Sequence, residues 1–75
     1  MYTPSDQDLA KIQHIFTYHA PKGDQPERYV ALREKAKELA MLMAQSCPAS
    51  RELSLALTQL QLSVMLANSS IAVNE

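Results

Sequence analysis

Residues 16–29 (FTYHAPKGDQPERY) concentrate side chains that can contact a ligand. The stretch holds the chain's only glycine, two of its four prolines and two of its three tyrosines. The ring of Tyr18 can stack on a nucleobase, and Lys22 or Arg28 can pair with a phosphate. His19 follows Tyr18 directly. The combination predicts a surface for an anionic ligand with flat rings; the alternative is that Tyr18 and His19 form a plug over one end of a helical hairpin.

Two further polar pairs lie on predicted helices. Arg33 and Lys37 are four residues apart, where like charges repel by about 0.2–0.5 kcal/mol and a bound phosphate would relieve the repulsion. Ordinary solvated charge, helped by neighbouring acidic residues, is the other interpretation. Asn68 and Ser69 interrupt an apolar helix. Buried polar groups need hydrogen-bond partners, which a subunit or a ligand would supply equally well.

Catalytic and metal-binding patterns find little support in the sequence. Cys47 stands beside Pro48, far along the chain from His14 and His19, and is more typical of a small apolar residue at a helix end. The two histidines and the one cysteine do not have a zinc-site spacing. A single glycine cannot form a glycine-rich phosphate loop. The sequence therefore predicts no enzyme, no metal and no cofactor.

Charge and hydropathy exclude several functional classes. Seven Lys and Arg against eight Asp and Glu give a net charge of −1, which argues against a protein that binds DNA, RNA or a membrane surface. Residues 53–74 carry no charge, but nine Ser, Thr, Asn and Gln side chains interrupt them, so we expect no membrane span. Asp6 and Asp8 occupy the place of a cationic leader, and the lone thiol fits a reducing cytoplasm.

Prolines separate three predicted helices in a single domain spanning 1–75. Their expected bounds are 5–17, 25–46 and 50–73. Ser5 or Asp6 can cap the first helix, and Ser50 is a candidate N-cap of the third. Asp24, with Glu27 three residues later, predicts a capping box at the start of the second.

The apolar spacing of the last two helices predicts an antiparallel hairpin. The third helix has a seam at intervals of four and three residues, as in coiled coils. That seam comprises Leu53, Leu57, Leu60, Val64, Ala67 and Ile71. The facing side of the second helix comprises Tyr29, Leu32, Ala36, Leu39 and Met43. The short link around Pro48 turns the third helix back along the second.

A second apolar row on the third helix predicts an oligomer. The row comprises Leu55, Leu62, Leu66 and Val73, and one partner helix cannot cover both it and the seam. Burying four such residues contributes about 6–12 kcal/mol before entropy is counted, comparable to the whole stability of a small domain. Other copies of the chain are the expected cover.

Spaced motifs along residues 14–75 resemble those of the small phage anti-CBASS cyclic-oligonucleotide sponge proteins. The pattern comprises aromatic-x-Tyr-His-x-Pro at 16–21, Asp-Gln at 24–25, Arg-Tyr at 28–29, Arg-x-x-Ala-Lys at 33–37, Pro-x-Ser-Arg-Glu at 48–52, Leu-Ala-x-Thr at 55–58, Val-Met at 64–65 and Ala-Asn at 67–68. One departure is Val73, since the family's C-terminus often reads Ala-Ile-Ala-Arg.

The resemblance implies an all-α hexamer of interlocked hairpins with a short N-terminal anchor helix. Members bind host cyclic di- and trinucleotides in separate pockets without cleaving them. Sequestration in the host cytoplasm then blocks CBASS signalling. Two other hypotheses remain open: an oligomeric hairpin that binds and inhibits a host protein, and an enzyme that degrades the cyclic nucleotide.

The same resemblance gives roles to the candidate residues. A pocket between two protomers would let Tyr18 stack on a base while Arg33 or Lys37 pairs with a phosphate. Arg51, near the hairpin bend, is a further cation candidate. The full ligand-binding set is Tyr18, His19, Lys22, Arg28, Arg33, Lys37, Arg51 and Asn68. If the family's C-terminal Arg contacts phosphate, either the pocket it serves is weaker with Val73 or that pocket uses another cation.

Overall fold

A computed structural model describes residues 1–75 and contains three α-helices and no strand. The helices are α1 (Asp6–Ile15), α2 (Gln25–Ser46) and α3 (Arg51–Asn74). The all-α prediction is confirmed. The first helix ends at Ile15, two residues before the expected end, and the Thr17 hydroxyl donates to the Gln13 carbonyl 2.6 Å away just beyond it.

Two of the three predicted N-caps form. The Ser5 hydroxyl accepts from the Asp8 amide, and the Ser50 hydroxyl accepts from the Leu53 amide, each at 3.1 Å. The capping box predicted for Asp24 was wrong. Asp24 stands at the cap position with φ −88° and ψ 6°, outside the extended region that a capping residue usually adopts, and its side chain makes no cap hydrogen bond.

A glycine turn and a buried glutamine start α2 instead. Gly23 has φ +58°, in the left-handed region where glycine has no Cβ penalty, which accounts for the position of the chain's one glycine. The side-chain oxygen Oε1 of Gln25 accepts from the backbone amide of Lys22 at 3.1 Å. The backbone amide of Gln25 donates to the backbone carbonyl of Lys22 at 3.0 Å. The two bonds close the turn that aims the preceding loop at the end of the hairpin.

The antiparallel hairpin packs along the predicted seam of α3. All six seam residues are half-buried. On α2, Tyr29, Ala36 and Met43 are half-buried as expected, and Ala40 joins them. Leu32 and Leu39 remain exposed, so the α2 side of the interface is narrower than its apolar spacing predicted. Small residues form its centre, and the two leucines lie at its edge.

The single chain does not enclose a core. Gln25 is its only buried residue, and no apolar residue is buried. Its solvent-accessible surface is 6343 Å², whereas a compact monomer of this mass exposes about 4,600 Å². The radius of gyration is 16.8 Å, against about 11 Å for a compact domain of this length. The molecule is a thin slab of 49 × 38 × 12 Å.

Apolar side chains line the outer faces of this slab. Three of the four residues of the second row, Leu55, Leu62 and Leu66, are exposed, while Val73 is half-buried. By length and composition alone α3 is apolar enough to cross a membrane, with a mean hydropathy of 1.2 over 18 residues. The seam accounts for one face of α3 and leaves the opposite face uncovered.

Candidate ligand-binding surfaces

The three helices meet at the open end of the hairpin, where α1 ends, α2 begins and α3 ends. A concave surface of about 280 Å³ lies at this junction. Its polar lining comprises His14, Tyr18, His19, Lys22, Gln25 and Glu75. Three of the predicted site residues, Tyr18, His19 and Lys22, therefore share one surface.

Two histidines fix the loop that carries Tyr18. His14 Nε2 donates to the Val73 carbonyl at 2.7 Å and joins α1 to α3. His19 Nε2 donates to the His14 carbonyl at 2.9 Å. Because a carbonyl oxygen only accepts, each ring carries its proton on Nε2. The two rings lie edge to face with centroids 4.6 Å apart. Tyr18 itself keeps 83% of its surface exposed and is free to contact a ligand.

A carboxylate occupies the cationic part of this junction. Arg28 Nη1 donates to Glu75 Oε2 at 2.8 Å, and Arg28 Nη2 contacts Glu75 Oε1. Gln25 Nε2 donates to the same Oε1 at 3.2 Å, and Lys22 Nζ donates to the main-chain oxygen of Glu75 at 3.0 Å. Asp24 also pairs with Arg28 Nη2 at 3.2 Å. Lys22 and Arg28, predicted as phosphate-binding cations, are thus engaged by an anion of the chain.

These contacts perturb both partners of the ion pair. Hydrogen bonds from Arg28, and then from Gln25, lower the pKa of Glu75 to about 2. The hydrogen bond with Glu75 raises the pKa of Arg28 above its usual range. Both groups are therefore fully charged across the physiological range.

A second concave surface lies farther along the hairpin. Its lining is Tyr29, Arg33, Asn68, Ser69 and Ala72, and its volume is about 410 Å³. The side-chain oxygen Oδ1 of Asn68 is buried here without a hydrogen-bond partner. Leaving such an acceptor unpaired costs about 1–3 kcal/mol. A hydrogen-bond donor from a ligand or from another copy of the chain would remove that cost. Either a ligand or a subunit can therefore be the partner of Asn68, as expected from the sequence.

Arg33 also borders a third surface, which it shares with Lys37. The apolar floor of this surface includes Leu57, Leu60 and Val64, and its volume is about 330 Å³. The cations at its rim leave an apolar centre that a base or an apolar side chain would fill. Arg33 thus connects the second and third surfaces.

Arg51 lies apart from the other candidates. It is the first residue of α3, at the closed end of the hairpin, whereas Tyr18 lies at the open end. The 22 residues of α2 separate these ends by about 33 Å. Within one chain Arg51 cannot share a ligand with Tyr18.

Sequence reasoning missed Gln25 and Glu75 as site residues and considered His14 only as a metal ligand. One signal for Glu75 was present: it is the first charged residue after an uncharged run of 22 positions, 53–74. An antiparallel hairpin places that residue opposite the start of α2, where Lys22 and Arg28 flank the turn. No local pattern marks the hydrogen bond of His14, which joins residues 59 positions apart.

Comparison with known proteins is consistent with this architecture. No curated protein and no solved structure matches the chain. A protein-family model described as Acb2/Tad1, hairpin domain, matches residues 8–72, which is most of the chain. The matched region takes in the aromatic loop, all of α2, α3 as far as residue 72 and all eight predicted site residues. The chain belongs to the Acb2/Tad1 hairpin-domain family, the family of anti-CBASS sponges.

Proposed function

We propose that this protein binds and sequesters cyclic oligonucleotide messengers of an infected host cell and thereby blocks CBASS signalling. The family assignment over residues 8–72 is the observation that carries the proposal. The site of action is the host cytoplasm, where a sponge of this family meets its ligand. The ligands are cyclic dinucleotides, such as cyclic GMP-AMP, and cyclic trinucleotides.

The open end of the hairpin has the chemistry that a cyclic nucleotide needs. Tyr18 offers an exposed ring, and base stacking on such a ring is worth about 1–3 kcal/mol. His19 holds the loop through the His14 carbonyl. Lys22 and Arg28 supply positive charge on the same surface or beside it. One base and one phosphate are thus served by neighbouring residues.

The second and third surfaces supply a further ligand position. Arg33 and Lys37 are exposed cations at the rim of apolar concavities, suited to a phosphate above a base. Asn68 lies beside Arg33 with an unpaired buried oxygen, which suits an exocyclic amine of a base. Arg51, about 33 Å from Tyr18 in one chain, serves a pocket to which another protomer contributes. Val73, in place of the family's Arg, contributes no charge to any of these pockets.

Assembly with other copies completes these pockets. The chain exposes about 1,700 Å² more than a compact monomer of its mass would. The exposed leucines of the second row on α3 account for part of this excess. A two-fold junction offers a cyclic dinucleotide the same tyrosine and the same cation twice, and a three-fold junction does so for a trinucleotide. A hexamer of dihedral symmetry, with one three-fold axis and three two-fold axes, contains both kinds of junction.

The proposal includes no cleavage of the ligand. Nucleophilic catalysis needs a nucleophile beside a base. Cys47 caps the C-terminal end of α2, whereas both histidines lie at the open end and donate to carbonyl oxygens. Binding without turnover is the activity that these side chains support.

Native mass spectrometry of the purified protein tests the proposal. Spectra are recorded with and without cyclic GMP-AMP and cyclic tri-AMP, and the bound ligand is then recovered by denaturation. A hexamer that takes up whole-number ligand copies and releases them intact supports a sponge. A hexamer without added mass would favour the protein-binding hairpin. Release of linear products would favour the degrading enzyme.

A further inference from the structure

The cluster around Glu75 has the construction of an anion-binding site. Its most buried member is Gln25, which is 4% exposed and fixed on one side by the Lys22 amide. The Gln25 Nε2 donor is thereby aimed at the Glu75 carboxylate. Arg28 adds two donors to the two carboxylate oxygens in the fork geometry that suits carboxylates and phosphates alike. The Gln25 donor is held by the Lys22 amide rather than by Glu75, and Arg28 has a second partner in Asp24.

The charge balance at this cluster favours exchange of one anion for another. Lys22 and Arg28 carry two positive charges, and Glu75 and Asp24 carry two negative ones. If the Glu75 side chain swings out, a net charge of about +1 remains beside Gln25, and a phosphodiester can take the vacated position. Two oxygens of a phosphodiester can accept from the same donors that the carboxylate uses.

The cluster is continuous with the aromatic surface. Glu75, Lys22 and Gln25 line the same concavity as Tyr18. A nucleotide whose base stacks on Tyr18 can therefore extend its phosphate toward the position that the carboxylate fills. A free inorganic anion lacks the stacking contribution and must displace Glu75 through charge alone.

We propose that Glu75 is an intramolecular competitor that occupies the phosphate position of the ligand at the open end of the hairpin. The inference rests on the proposed function for its natural ligand but not for the anion site itself. Glu75 excludes simple phosphates, and only ligands that also stack on Tyr18 displace it. The competition lowers affinity and raises selectivity for ligands that carry a base and a phosphate together.

Isothermal titration of Glu75→Gln tests the competition with two probes, cyclic GMP-AMP and inorganic pyrophosphate. The substitution removes the competing charge and retains the shape of the side chain. We expect it to bind cyclic GMP-AMP at least tenfold more tightly than the unaltered chain, and to bind pyrophosphate where the unaltered chain does not. Glu75→Ala, which removes the occupant altogether, is expected to behave in the same way.

Asp24→Asn is the matched control. It removes the same charge from the same guanidinium but vacates no position beside Gln25. We expect a smaller gain for both probes than in Glu75→Gln, because the Glu75 carboxylate still occupies the position beside Gln25. Equal gains in Asp24→Asn and Glu75→Gln would reduce the effect to general charge and overturn the competition. If Glu75→Gln binds neither probe more tightly than the unaltered chain, with the helix content and oligomeric mass retained, the competition is overturned as well.

The two probes separate this inference from the proposed function. Pyrophosphate binding by Glu75→Gln, followed through the side-chain amide resonance of Gln25, supports the anion site even if no variant binds a cyclic nucleotide. Equal binding of cyclic GMP-AMP by both chains, with no pyrophosphate binding by either, overturns the competition and leaves the sponge intact.

Discussion

The two ends of the hairpin are held by different interactions. At the closed end, α2 and α3 are joined by a short link, and the side-chain hydrogen bonds in that link are those of Ser50. At the open end, hydrogen bonds and an ion pair join all three helices, through His14, Lys22, Arg28 and Glu75. The apolar seam runs between the two ends.

The contacts that hold the hairpin together therefore differ in kind from the contacts at the candidate binding surface. Apolar contacts along the seam are non-directional, and many side chains of similar size would serve there. The polar contacts of the open end are directional, and each depends on particular atoms. Four of the eight predicted site residues, Tyr18, His19, Lys22 and Arg28, lie at or beside that end. The seam sets the register of the hairpin. That register places the end of α3 beside the end of α1 and the start of α2.

The largest effect is expected from a charge placed in the seam. Leu60 is a half-buried member of the seam on α3. Leu60→Asp loses apolar burial and forces a carboxylate between the helices, which lowers the free energy of unfolding by about 2–4 kcal/mol. Urea unfolding followed by circular dichroism measures the loss. Because the seam positions both ends of the hairpin, the contacts of the open end and of the closed end should both be lost in this variant.

The neighbouring position provides the control for the seam. Gln59 is exposed on the same turn of α3. Gln59→Asp should stay within about 0.5 kcal/mol of the unaltered chain, as surface substitutions usually do. A loss equal to that of Leu60→Asp would show that acidic residues on α3 destabilise it regardless of the seam.

The sequence predicts the seam and the open end of the hairpin to different extents. The seam on α3 is encoded by a local repeat, so the six residues from Leu53 to Ile71 were identified correctly. The loop from Tyr18 to Lys22 is continuous in sequence, so its residues necessarily lie near one another. Local patterns do not encode contacts across the open end, which is why the pairing of Arg28 with Glu75 was not foreseen. The capping box failed because Gly23 and Gln25 start α2 in its place.

The second prediction concerns ligand binding at the open end. Tyr18→Ala removes the exposed ring and should weaken cyclic GMP-AMP binding by about 10- to 100-fold, the equivalent of one stacked base. Isothermal titration gives the affinity, and native mass spectrometry checks that the oligomeric mass persists. Tyr2→Ala, which removes another exposed ring that lies outside all three surfaces, is the matched control and should bind normally. Equal affinity in both variants would remove Tyr18 from the site.

A smaller effect is expected from loosening α1. His14→Ala removes the hydrogen bond to the Val73 carbonyl, one of the few contacts between α1 and the hairpin. A single hydrogen bond of this kind contributes about 1 kcal/mol. Hydrogen exchange of α1 amides should therefore quicken roughly fivefold, while exchange along the seam stays unchanged. Lys11→Ala, at an exposed position of α1, should leave both rates unaltered; faster exchange in the seam would instead mean that α1 supports the whole hairpin.

The smallest effect is the response of the open end to acid. Arg28 and Gln25 lower the pKa of the Glu75 carboxyl to about 2. A glutamate in an unfolded chain has a pKa of about 4.3. The folded state therefore favours the ionised form, and the stabilisation is complete above about pH 4.3 and is lost as pH falls toward about 2. The difference in unfolding free energy between the unaltered chain and Glu75→Gln should shrink across that window and stay constant above about pH 5.

Asp24, Lys22 and the two histidines face the same junction. Asp24→Asn in the same titration removes the second carboxyl. A difference that stayed flat from pH 6 to pH 2 would mean that the carboxylate is not held by the open end. The cation pair would then be free for a ligand without any displacement.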